Sequence, residues 1–460
     1  MALLDSSDSR PVHFVGIAGA GMSALAELFL RRGVPITGCD SNPAAAEDLR
    51  RQGVVVEPHD PSHAEHARAL VVTSAMRKDH PELVRARELG IPVIRRAEAL
   101  GEVTAGRELV AIAGTHGKTT TTVMTATALT AAAREPTAIV GGRVSAWEGN
   151  TLYGSDRLYV VEADEYDRSF LALSPTVAVV TNVEADHLDI YADLADIKSA
   201  FAQFVRGARH IVLCADDAGA NSLATPSSTE VVRYGISSAD ARVVARDLAL
   251  RPDGSAFRLV FDDEDMGEIT LAIPGRHNVL NALAALSAGL VLGAKPAEMA
   301  RGLAGYAGVE RRFQRLGEAR GVVVVDDYAH NPTKVAAALA TARVAYPDRR
   351  LVAAFQPHLY SRTRDFAREF GASLAVADAV FLTAIYPARE APIPGVSSAL
   401  IADALREAGG TLVWQGERGA LADALADFVR PGDVVLTIGA GDITKTGPEL
   451  LDRLAGADAA

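Results

Sequence analysis

The segment from residue 109 to residue 133 constrains this chain more than any other. A short apolar run at 109–113 predicts a buried strand, and the Ala-rich stretch after Gly117 predicts a helix to about residue 133. The Gly-rich turn between them is typical of a phosphate-binding loop, because backbone N–H groups and the helix dipole point at the anion. Lys118 can reach the β- and γ-phosphates of a nucleotide, and the Thr119 hydroxyl can bind Mg²⁺. The predicted loop residues are Gly114, Thr115, His116, Gly117, Lys118, Thr119 and Thr120.

This loop departs from the long form of the motif, which has a glycine five residues before Gly117, where this chain has Ile112. The alternative interpretation is an ordinary Gly-rich turn before a helix. A lysine at a helix N-terminus opposes the helix dipole, so it has little structural purpose there. The residues therefore favour nucleotide binding.

Composition limits the partners that the chain can have. Its 460 residues allow about three domains, and 49% hydrophobic with 23% charged residues is ordinary for a globular protein. A net charge of −12 argues against nucleic acid and anionic membranes as partners. Only Cys39 and Cys214 are present, which excludes a disulfide framework and a cysteine-based zinc site and fits a reducing cytosol. The polar start and the short apolar runs predict no signal peptide and no membrane insertion, hence a cytoplasmic location.

Residues 1–106 are predicted to form a Rossmann-like domain that binds a nucleotide. A strand at 12–15 leads into a Gly-rich turn and a helix ending at Gly33, as in a dinucleotide-binding fingerprint with Ala18 in place of the second glycine. A second strand ends at Asp40, where an acid recognises ribose. The turn alone is a weak signal, but with Asp40 it supports a diphosphate nucleotide, not necessarily NAD. The predicted binding residues are Gly16, Ala18, Gly19, Gly21, Met22, Ser23, Asp40 and Ser74.

Residues 107–313 are predicted to form a central α/β domain around the phosphate-binding loop. Strands at 158–161 and 177–182 run into acidic segments that contain Glu162, Asp164, Glu165, Asp186 and His187. Ligands bind at this end of the strands in α/β sheets, and oxygen ligands with one imidazole could complete a Mg²⁺ shell with Thr119. The alternative for Asp164 or Asp186 is a helix N-cap.

The end of the central domain contains a second candidate nucleotide contact. Shorter β-like runs at 231–273 predict an antiparallel addition to the sheet. A helix then opens with His277, and Asn278 and Asn281 fall on one face of it. Their amides could act as caps or could read the edge of an adenine, which presents a donor and an acceptor.

Residues 314–460 are predicted to form a third, Rossmann-like domain. Before it, Arg312 could offer a guanidinium to the γ-phosphate, with a solvated charge run as the alternative. Four strands, at 322–325, 351–355, 380–383 and 433–438, deliver polar residues at their ends. His358 with Arg362 suits an anionic substrate, although His358 could instead be a core histidine.

The order of these segments resembles the Mur ligase family over nearly the whole chain. The resemblance rests on residues 16–23, 114–120, 162–165, 186–187, 277–281 and 355–358. The Gly-rich start and the Phe-Gln-Pro-His-x-Tyr-Ser-Arg-Thr segment at 355–363 are similar to the alanine-adding branch of the family and its close relatives. This resemblance implies a ligase that uses ATP and Mg²⁺ to join L-alanine to the lactoyl carboxylate of UDP-N-acetylmuramate through an acyl phosphate, the first peptide step of peptidoglycan precursor synthesis.

The resemblance also implies a division of labour. The first domain would hold the UDP-sugar, the central P-loop-type ATPase domain would hold ATP, and the third would bind the amino acid, in a monomer or weak homodimer. Mg²⁺ would lie on Thr119, Glu162 and His187, and adenine on His277 and Asn281. Asp327 would bind ribose. The implied catalytic residues are Lys118, Arg312, His358 and Arg362.

Two residues depart from the family pattern, and three rival functions stay open. Leu359 stands where many relatives have arginine, and Asn331 stands where a second histidine is common. Lys198 lies where sister ligases carry a carbamylated lysine, but this branch usually lacks that feature, and we do not predict it. The nearest rival is the recycling ligase that attaches a preformed tripeptide to the same sugar nucleotide. A UDP-sugar sensor or an NAD-linked dehydrogenase would leave the Gly-Lys-Thr loop unexplained.

Overall fold

A computed structural model describes residues 3–73, 76–188, 190–388 and 390–456. The chain forms two compact units. The first unit comprises the described residues within 1–248, 256–271 and 279–307, and the second those within 249–255, 272–278 and 308–460. In the part of the chain that the structure describes, no helix has the length and apolar character that crossing a membrane requires.

The first sheet, in the first unit, has five parallel strands in the order β3-β2-β1-β4-β5. Its central strands are short Val- and Leu-rich runs buried along their length, as parallel strands covered on both faces should be. The strands are β1 (Val12–Val15), β2 (Ile36–Cys39), β3 (Val55–Glu57), β4 (Ala69–Val72) and β5 (Val93–Arg95). The helices are α1 (Ala20–Arg31), α2 (Glu47–Arg51), α3 (His63–His66), α4 (Pro81–Leu89) and α5 (Arg96–Thr104).

The second sheet has ten strands in the order β15-β14-β13-β12-β11-β10-β6-β9-β7-β8. The first strands are β6 (Glu108–Ala113), β7 (Thr137–Val144), β8 (Gly149–Leu152), β9 (Leu158–Glu162) and β10 (Val177–Val180). The others are β11 (His210–Cys214), β12 (Glu230–Gly235), β13 (Val243–Arg251), β14 (Gly254–Phe261) and β15 (Glu264–Leu271). The helices are α6 (Lys118–Ala131), α7 (Leu194–Val205), α8 (Ala218–Asn221), α9 (Arg276–Val291) and α10 (Pro296–Ala304).

The predicted antiparallel addition at 231–273 is only partly right. β12 pairs in parallel with β11, and β13 pairs in parallel with β12. Two-residue links then join β13 to β14 and β14 to β15, and only antiparallel neighbours can be joined so tightly. The change of direction therefore begins after β13. The chain reaches β12 through α8, and a helical connection of this kind allows β12 to lie parallel to β11.

The third sheet, in the second unit, has six strands in the order β16-β17-β21-β18-β19-β20, with β16 antiparallel at its edge. The strands are β16 (Gln314–Ala319), β17 (Val322–Asp327), β18 (Arg350–Phe355), β19 (Ala379–Thr383), β20 (Leu412–Gly416) and β21 (Asp433–Ile438). The helices are α11 (Pro332–Ala345), α12 (Tyr360–Leu374), α13 (Ala399–Glu407), α14 (Leu421–Phe428) and α15 (Thr446–Gly456). Alternate residues of β17 and β18 enter two apolar clusters, one on each face. The predicted α/β class is confirmed, with one sheet for each of the three predicted domains, while the domain bounds stay a prediction.

Candidate active site

The predicted phosphate-binding loop connects β6 to α6 in the first unit. Gly114 and Gly117 adopt φ angles of 141° and 81°, which favour glycine. A Cβ on Gly114 would also collide with the Thr181 hydroxyl, so the loop packs closely on the end of β10. Gly117 immediately precedes the first residue of α6, so the positive end of the helix dipole faces the loop.

The segment after β10 fixes the shape of this loop. The Thr115 N–H donates to the Asn182 carbonyl at 3.1 Å, and the His116 N–H donates to the Asn182 side-chain oxygen at 2.7 Å. The Glu184 N–H donates to the Thr115 hydroxyl at 3.0 Å, and the Glu184 carboxylate lies 2.9 Å from His116 Nε2. Two predicted loop residues, Thr115 and His116, therefore anchor the loop to the segment that follows β10.

A buried carboxylate holds Lys118, the first residue of α6. The Lys118 Nζ lies 2.6 Å from Glu165 Oε2 and donates to the Gly114 carbonyl at 2.7 Å. Burial disfavours both charges, but their mutual attraction outweighs it, so the pKa of Lys118 is raised and that of Glu165 is lowered to about 2. Glu165 Oε1 also lies 3.5 Å from His187 Nε2. Glu165 thus links the predicted phosphate lysine to a predicted metal ligand.

The three predicted Mg²⁺ ligands surround the end of β6. Thr119 lies in the first turn of α6, Glu162 ends β9, and His187 follows β10, while β9 and β10 are the two neighbours of β6. The glycine at position 141 leaves room for Glu162, because a Cβ there would lie 3.1 Å from Glu162 Oε2. A hydroxyl and a carboxylate are ligands that Mg²⁺ prefers, so Thr119 and Glu162 fit the ion, and His187 would add one nitrogen ligand.

Asn281 supports the phosphate-binding loop from α9. Its side-chain oxygen accepts a hydrogen bond from the Thr121 hydroxyl at 3.1 Å. A Cβ on Gly117 would lie 2.6 Å from the same oxygen, so Gly117 is also required for this contact. At least one polar atom of Asn281 is therefore bonded to α6, just after the loop, while its contact with adenine stays a prediction.

His277 and Asn278 belong to the second unit. The Asn278 Nδ2 donates to the Pro274 carbonyl at 2.7 Å, which ties this amide to the turn before α9. His277 Nδ1 lies 3.4 Å from the Thr341 hydroxyl, and burial lowers the pKa of His277 to about 4. His277 is therefore neutral at pH 7, and a neutral imidazole has one donor and one acceptor nitrogen.

The Gly-rich turn after β1 is tied to the end of β2. The Ala18 N–H donates to Asp40 Oδ2 at 3.0 Å, and the Gly16 N–H donates to the Cys39 carbonyl at 2.8 Å. The other Asp40 oxygen accepts from the Asn42 N–H at 2.9 Å. Asp40 therefore shapes the turn, in addition to its predicted contact with ribose. Gly19, Gly21, Met22 and Ser23 lie at the start of α1, and Ser74 lies outside the described residues.

Arg312 and Asp327 lie together in the second unit. The Arg312 guanidinium carbon is 5.1 Å from the centre of the Tyr328 ring. The two Asp327 oxygens accept from the Phe313 and Ala329 N–H groups, each at 2.7 Å. Burial raises the pKa of Asp327, and the nearby Arg312 charge opposes that rise. Both side chains are thus held close to the end of β17.

His358 and Arg362 form the predicted polar pair at the end of β18. Arg362 Nη1 lies 3.3 Å from His358 Nδ1, and Arg362 is 9% exposed. The His358 ring stacks on Tyr386 with 5.9 Å between ring centres and lies 6.0 Å from the His330 ring. Leu359 has a φ angle of 72°, and its N–H donates to the Tyr386 carbonyl at 3.0 Å. This turn places Arg362 in the first turn of α12, behind His358.

Asn331, one of the two departures from the family pattern, and Lys198 each have a local structural partner. The Asn331 side chain caps α11 by accepting from the Lys334 N–H at 3.0 Å. The Lys198 ammonium donates to the Ser222 hydroxyl at 3.0 Å. Asn331 therefore has a structural reason to be an asparagine.

Sequence reasoning missed two charged residues near the predicted sites. In the sequence Glu165 is one of several acids at a strand end, and the signal that points to it is its position three residues after a predicted metal ligand. Arg96 gave no signal: it begins α5, and a Cβ on Gly21 would lie 3.1 Å from Arg96 Nη1. Arg96 Nη2 also lies 3.8 Å from Asp164 Oδ2.

Comparisons with known proteins cover nearly the whole chain. Three family models match: the catalytic domain of the Mur ligase family at residues 11–108, the Mur ligase middle domain at 112–289, and the Mur ligase glutamate ligase domain at 311–441. The UDP-N-acetylmuramate--L-alanine ligase of Streptomyces avermitilis is 44% identical over 460 residues, with 98% of each chain covered. The protein of the same name from Acidothermus cellulolyticus is 46% identical, covering 96% of this chain and 94% of that one.

Two solved structures are similar over most of their length. The crystal structure of UDP-N-acetylmuramate-alanine ligase MurC from Thermotoga maritima has a TM-score of 0.82 and 29% identity, covering 97% of this chain and 99% of that chain. The murein peptide ligase mpl from Psychrobacter arcticus has a TM-score of 0.73 at the same coverage, but at 24% identity this likeness concerns the fold alone.

Proposed function

Because this chain belongs to the Mur ligase family, we propose that it is an ATP-dependent ligase that joins L-alanine to UDP-N-acetylmuramate, the first peptide step of peptidoglycan precursor synthesis. The observation that carries the proposal is identity of 44–47% over nearly the full length to curated relatives with that activity in their names. The preorganised loop with Lys118 supports the use of ATP. The recycling ligase is the less supported alternative, since two solved structures of that type are 24% and 26% identical, against 44–47% for the alanine ligases.

The reaction needs ATP because a carboxylate is a poor acyl donor at neutral pH. The muramoyl carboxylate attacks the γ-phosphorus, the bond to ADP breaks, and an acyl phosphate forms. The amine of alanine then attacks the acyl carbon, and phosphate leaves as the amide forms. The chain's own task is to align these groups and to stabilise the charge that develops on the transferred phosphoryl group.

We assign that charge stabilisation mainly to Lys118. Its ammonium is held at the loop by Glu165 at 2.6 Å and by the Gly114 carbonyl at 2.7 Å. A γ-phosphate must therefore draw Lys118 away from Glu165 or share it. Thr119, Glu162 and His187 would hold Mg²⁺, which supplies positive charge to the phosphate oxygens when bound.

The remaining predicted residues are assigned by their place in the chain. The Gly-rich turn and Asp40, in a domain at 1–106, are proposed to bind the UDP-sugar. The domain at 107–313 is proposed to bind ATP, with His277, Asn278 and Asn281 near adenine. In a domain at 314–460, Asp327 is proposed to bind ribose and Arg312 to contact phosphate. His358 and Arg362 are proposed to bind alanine, in a cytoplasmic monomer or weak homodimer.

One ligase assay tests the proposal. The purified chain is incubated with UDP-N-acetylmuramate, ATP and Mg²⁺, and phosphate release is followed with alanine, glycine, serine or a muropeptide tripeptide as acceptor. We expect phosphate release that requires the sugar nucleotide and is fastest with alanine, and a product heavier by one alanyl residue in mass spectrometry. Faster turnover with the tripeptide would assign the chain to the recycling reaction, and no sugar-dependent phosphate release would refute ligation.

A further inference from the structure

A cluster of metal-binding side chains lies on one face of the first sheet, apart from the residues assigned above. It consists of His13 in β1, Cys39 at the end of β2, His63 at the start of α3, and Glu82 in α4. One ligand atom from each lies within 4.8 Å of all the others. His13, Cys39 and Glu82 are each at most 1% exposed, and the cysteine is a free thiol. We call these four residues the His13–Glu82 cluster.

The spacing of the ligand atoms suits a tetrahedral metal. Cys39 Sγ lies 3.1 and 3.2 Å from the two Glu82 oxygens. His13 Nε2 lies 3.4 Å from Glu82 Oε2, and His63 Nδ1 lies 3.4 Å from Glu82 Oε1. Zinc bonds of about 2.0–2.3 Å place tetrahedral ligand atoms about 3.3–3.7 Å apart. The ligand pairs that include Glu82 therefore need to move by only a few tenths of an ångström, and every other pair of ligand atoms in the cluster lies within 4.8 Å.

Both imidazoles are oriented as metal ligands usually are, with the far nitrogen bonded to another polar group. His13 Nδ1 lies 2.9 Å from the Thr37 hydroxyl, and His63 Nε2 lies 3.3 Å from Glu57 Oε2. Each ring therefore turns its other nitrogen toward the cluster. Among the described residues, His13 Nε2 is buried and has no well-formed hydrogen bond, only the 3.4 Å approach to Glu82 Oε2. A buried imidazole nitrogen without a hydrogen bond is costly unless another ligand satisfies it.

The donor set selects the type of metal. One thiolate, two imidazoles and one carboxylate suit Zn²⁺, whereas Mg²⁺ prefers oxygen ligands alone. Four protein ligands complete the tetrahedron, as in structural rather than catalytic zinc sites. His59 connects the cluster to the solvent, because its Nδ1 lies 3.1 Å from Cys39 Sγ and its side chain is 28% exposed. An ion can therefore reach the buried thiol along this side chain.

We propose that the His13–Glu82 cluster binds one Zn²⁺ that braces the first sheet. The ion would replace the thiol proton of Cys39, which is released on binding. It would also hold the end of β2, whose Cys39 carbonyl accepts the Gly16 and Ile17 N–H groups at 2.8 and 3.0 Å. The ion would thereby also restrain the Gly-rich turn, which is bonded to this carbonyl. The proposal concerns this sheet and does not depend on the ligase activity.

Cobalt substitution tests the proposal on the full chain without an affinity tag. The protein is treated with a chelator, dialysed, and titrated with Co²⁺ in excess Mg²⁺, which occupies the predicted Mg²⁺ site. We expect one Co²⁺ per chain, with a thiolate-to-metal absorption band that disappears when Zn²⁺ is added. In Cys39→Ser the band should be absent, whereas Cys214→Ser, the matched control at the other buried cysteine, should keep it.

A second variant tests the proposal even if Cys39→Ser does not fold. His63→Gln, at a 14% exposed side chain, should keep the fold and weaken Co²⁺ binding on the order of 100-fold or more. The exposed His66, in the same helix, gives the control His66→Gln, which should bind as tightly as the wild type. Zn²⁺ should also raise the melting temperature of the wild type but not that of His63→Gln. Absence of the thiolate band in the wild type, its persistence in Cys39→Ser, or equal affinity of the two histidine variants would overturn the proposal.

Discussion

Replacing Glu165 by glutamine should destabilise the phosphate-binding loop and α6, because it leaves the Lys118 ammonium without its counterion. The two side chains are 17% and 3% exposed and meet at 2.6 Å. Glutamine has nearly the shape of glutamate, so packing should be preserved and the change isolates the charge. Lys118 would retain its hydrogen bond to the Gly114 carbonyl at 2.7 Å, which limits the loss.

Two estimates agree on the size of this effect. Removing one partner of a buried ion pair costs about 3–5 kcal/mol. The pKa of Glu165 is lowered from 4.5 to about 2, which corresponds to about 3 kcal/mol at roughly 1.4 kcal/mol per pKa unit. Because the folded pKa is depressed, this stabilisation is fully present above pH 4.5 and is lost as the pH falls toward 2. We therefore expect a loss of about 3 kcal/mol at pH 7 that shrinks in acid.

Hydrogen exchange of the α6 amides at pH 7, without nucleotide or Mg²⁺, measures the local free energy of opening of this helix. A local measurement is needed because the global unfolding of a chain with more than one unit is not a two-state transition. The matched control is Glu184→Gln, since Glu184 pairs with His116 at 2.9 Å but is 36% exposed. That variant should lose less than about 1 kcal/mol. A non-hydrolysable ATP analogue should protect Glu165→Gln more than the wild type, because phosphate supplies the missing negative charge. Equal losses in the two variants, or no gain with the analogue, would refute the reasoning.

Three further variants test the assigned roles. Lys118→Ala should lower kcat on the order of 10²-fold or more while the circular dichroism spectrum is unchanged, because it removes a preorganised charge from the phosphoryl group; near-native turnover would exclude the loop from the chemistry. Gly21→Val should raise the KM for UDP-N-acetylmuramate far more than that for ATP, because a β-branched side chain would stand where the diphosphate is proposed to approach the backbone, and a Cβ there would lie 3.1 Å from Arg96 Nη1; equal effects on both, or an effect on ATP alone, would reverse the domain assignment. Arg362→Ala should cost about 2–5 kcal/mol in kcat/KM for alanine, with only partial rescue by Arg362→Lys, because a bidentate pair with a carboxylate needs the guanidinium; weaker ATP binding with an unchanged alanine KM would assign this arginine to phosphate.

Local sequence determined the elements that carry the proposed chemistry. The apolar run before Gly114 and the Gly-Lys-Thr turn encode the strand, the loop and the helix within a few residues, because burial, φ angles and the helix dipole act over that range. The same reasoning predicted the strands that end near Asp40, Glu162 and His358. Such patterns repeat along the chain, so the α/β class could be recognised before any tertiary contact was known.

Only the tertiary structure decided how distant residues pair. Asp40 lies where an acid was predicted, but its bond to the Ala18 N–H depends on β2 lying beside β1. Asn281 reaches the phosphate-binding loop from 160 residues away, at Thr121. The parallel pairing of β12 reversed a prediction that its short runs had favoured, since strand direction depends on the connection rather than on composition.

The Lys118–Glu165 pair and the His13–Glu82 cluster show most clearly why the sequence alone could not predict these contacts. Lys118 and Glu165 are 47 residues apart, and neither position alone indicates that its charge is neutralised. Two cysteines are too few for a disulfide framework, and their number alone also argues against a cysteine-based zinc site. His13 and Glu82 show no ligand spacing in the sequence. The packing of α4 against the first sheet brings their side chains to 3.4 Å. Tertiary packing, and not distance along the chain, determines which buried polar atoms become neighbours and must bond to each other.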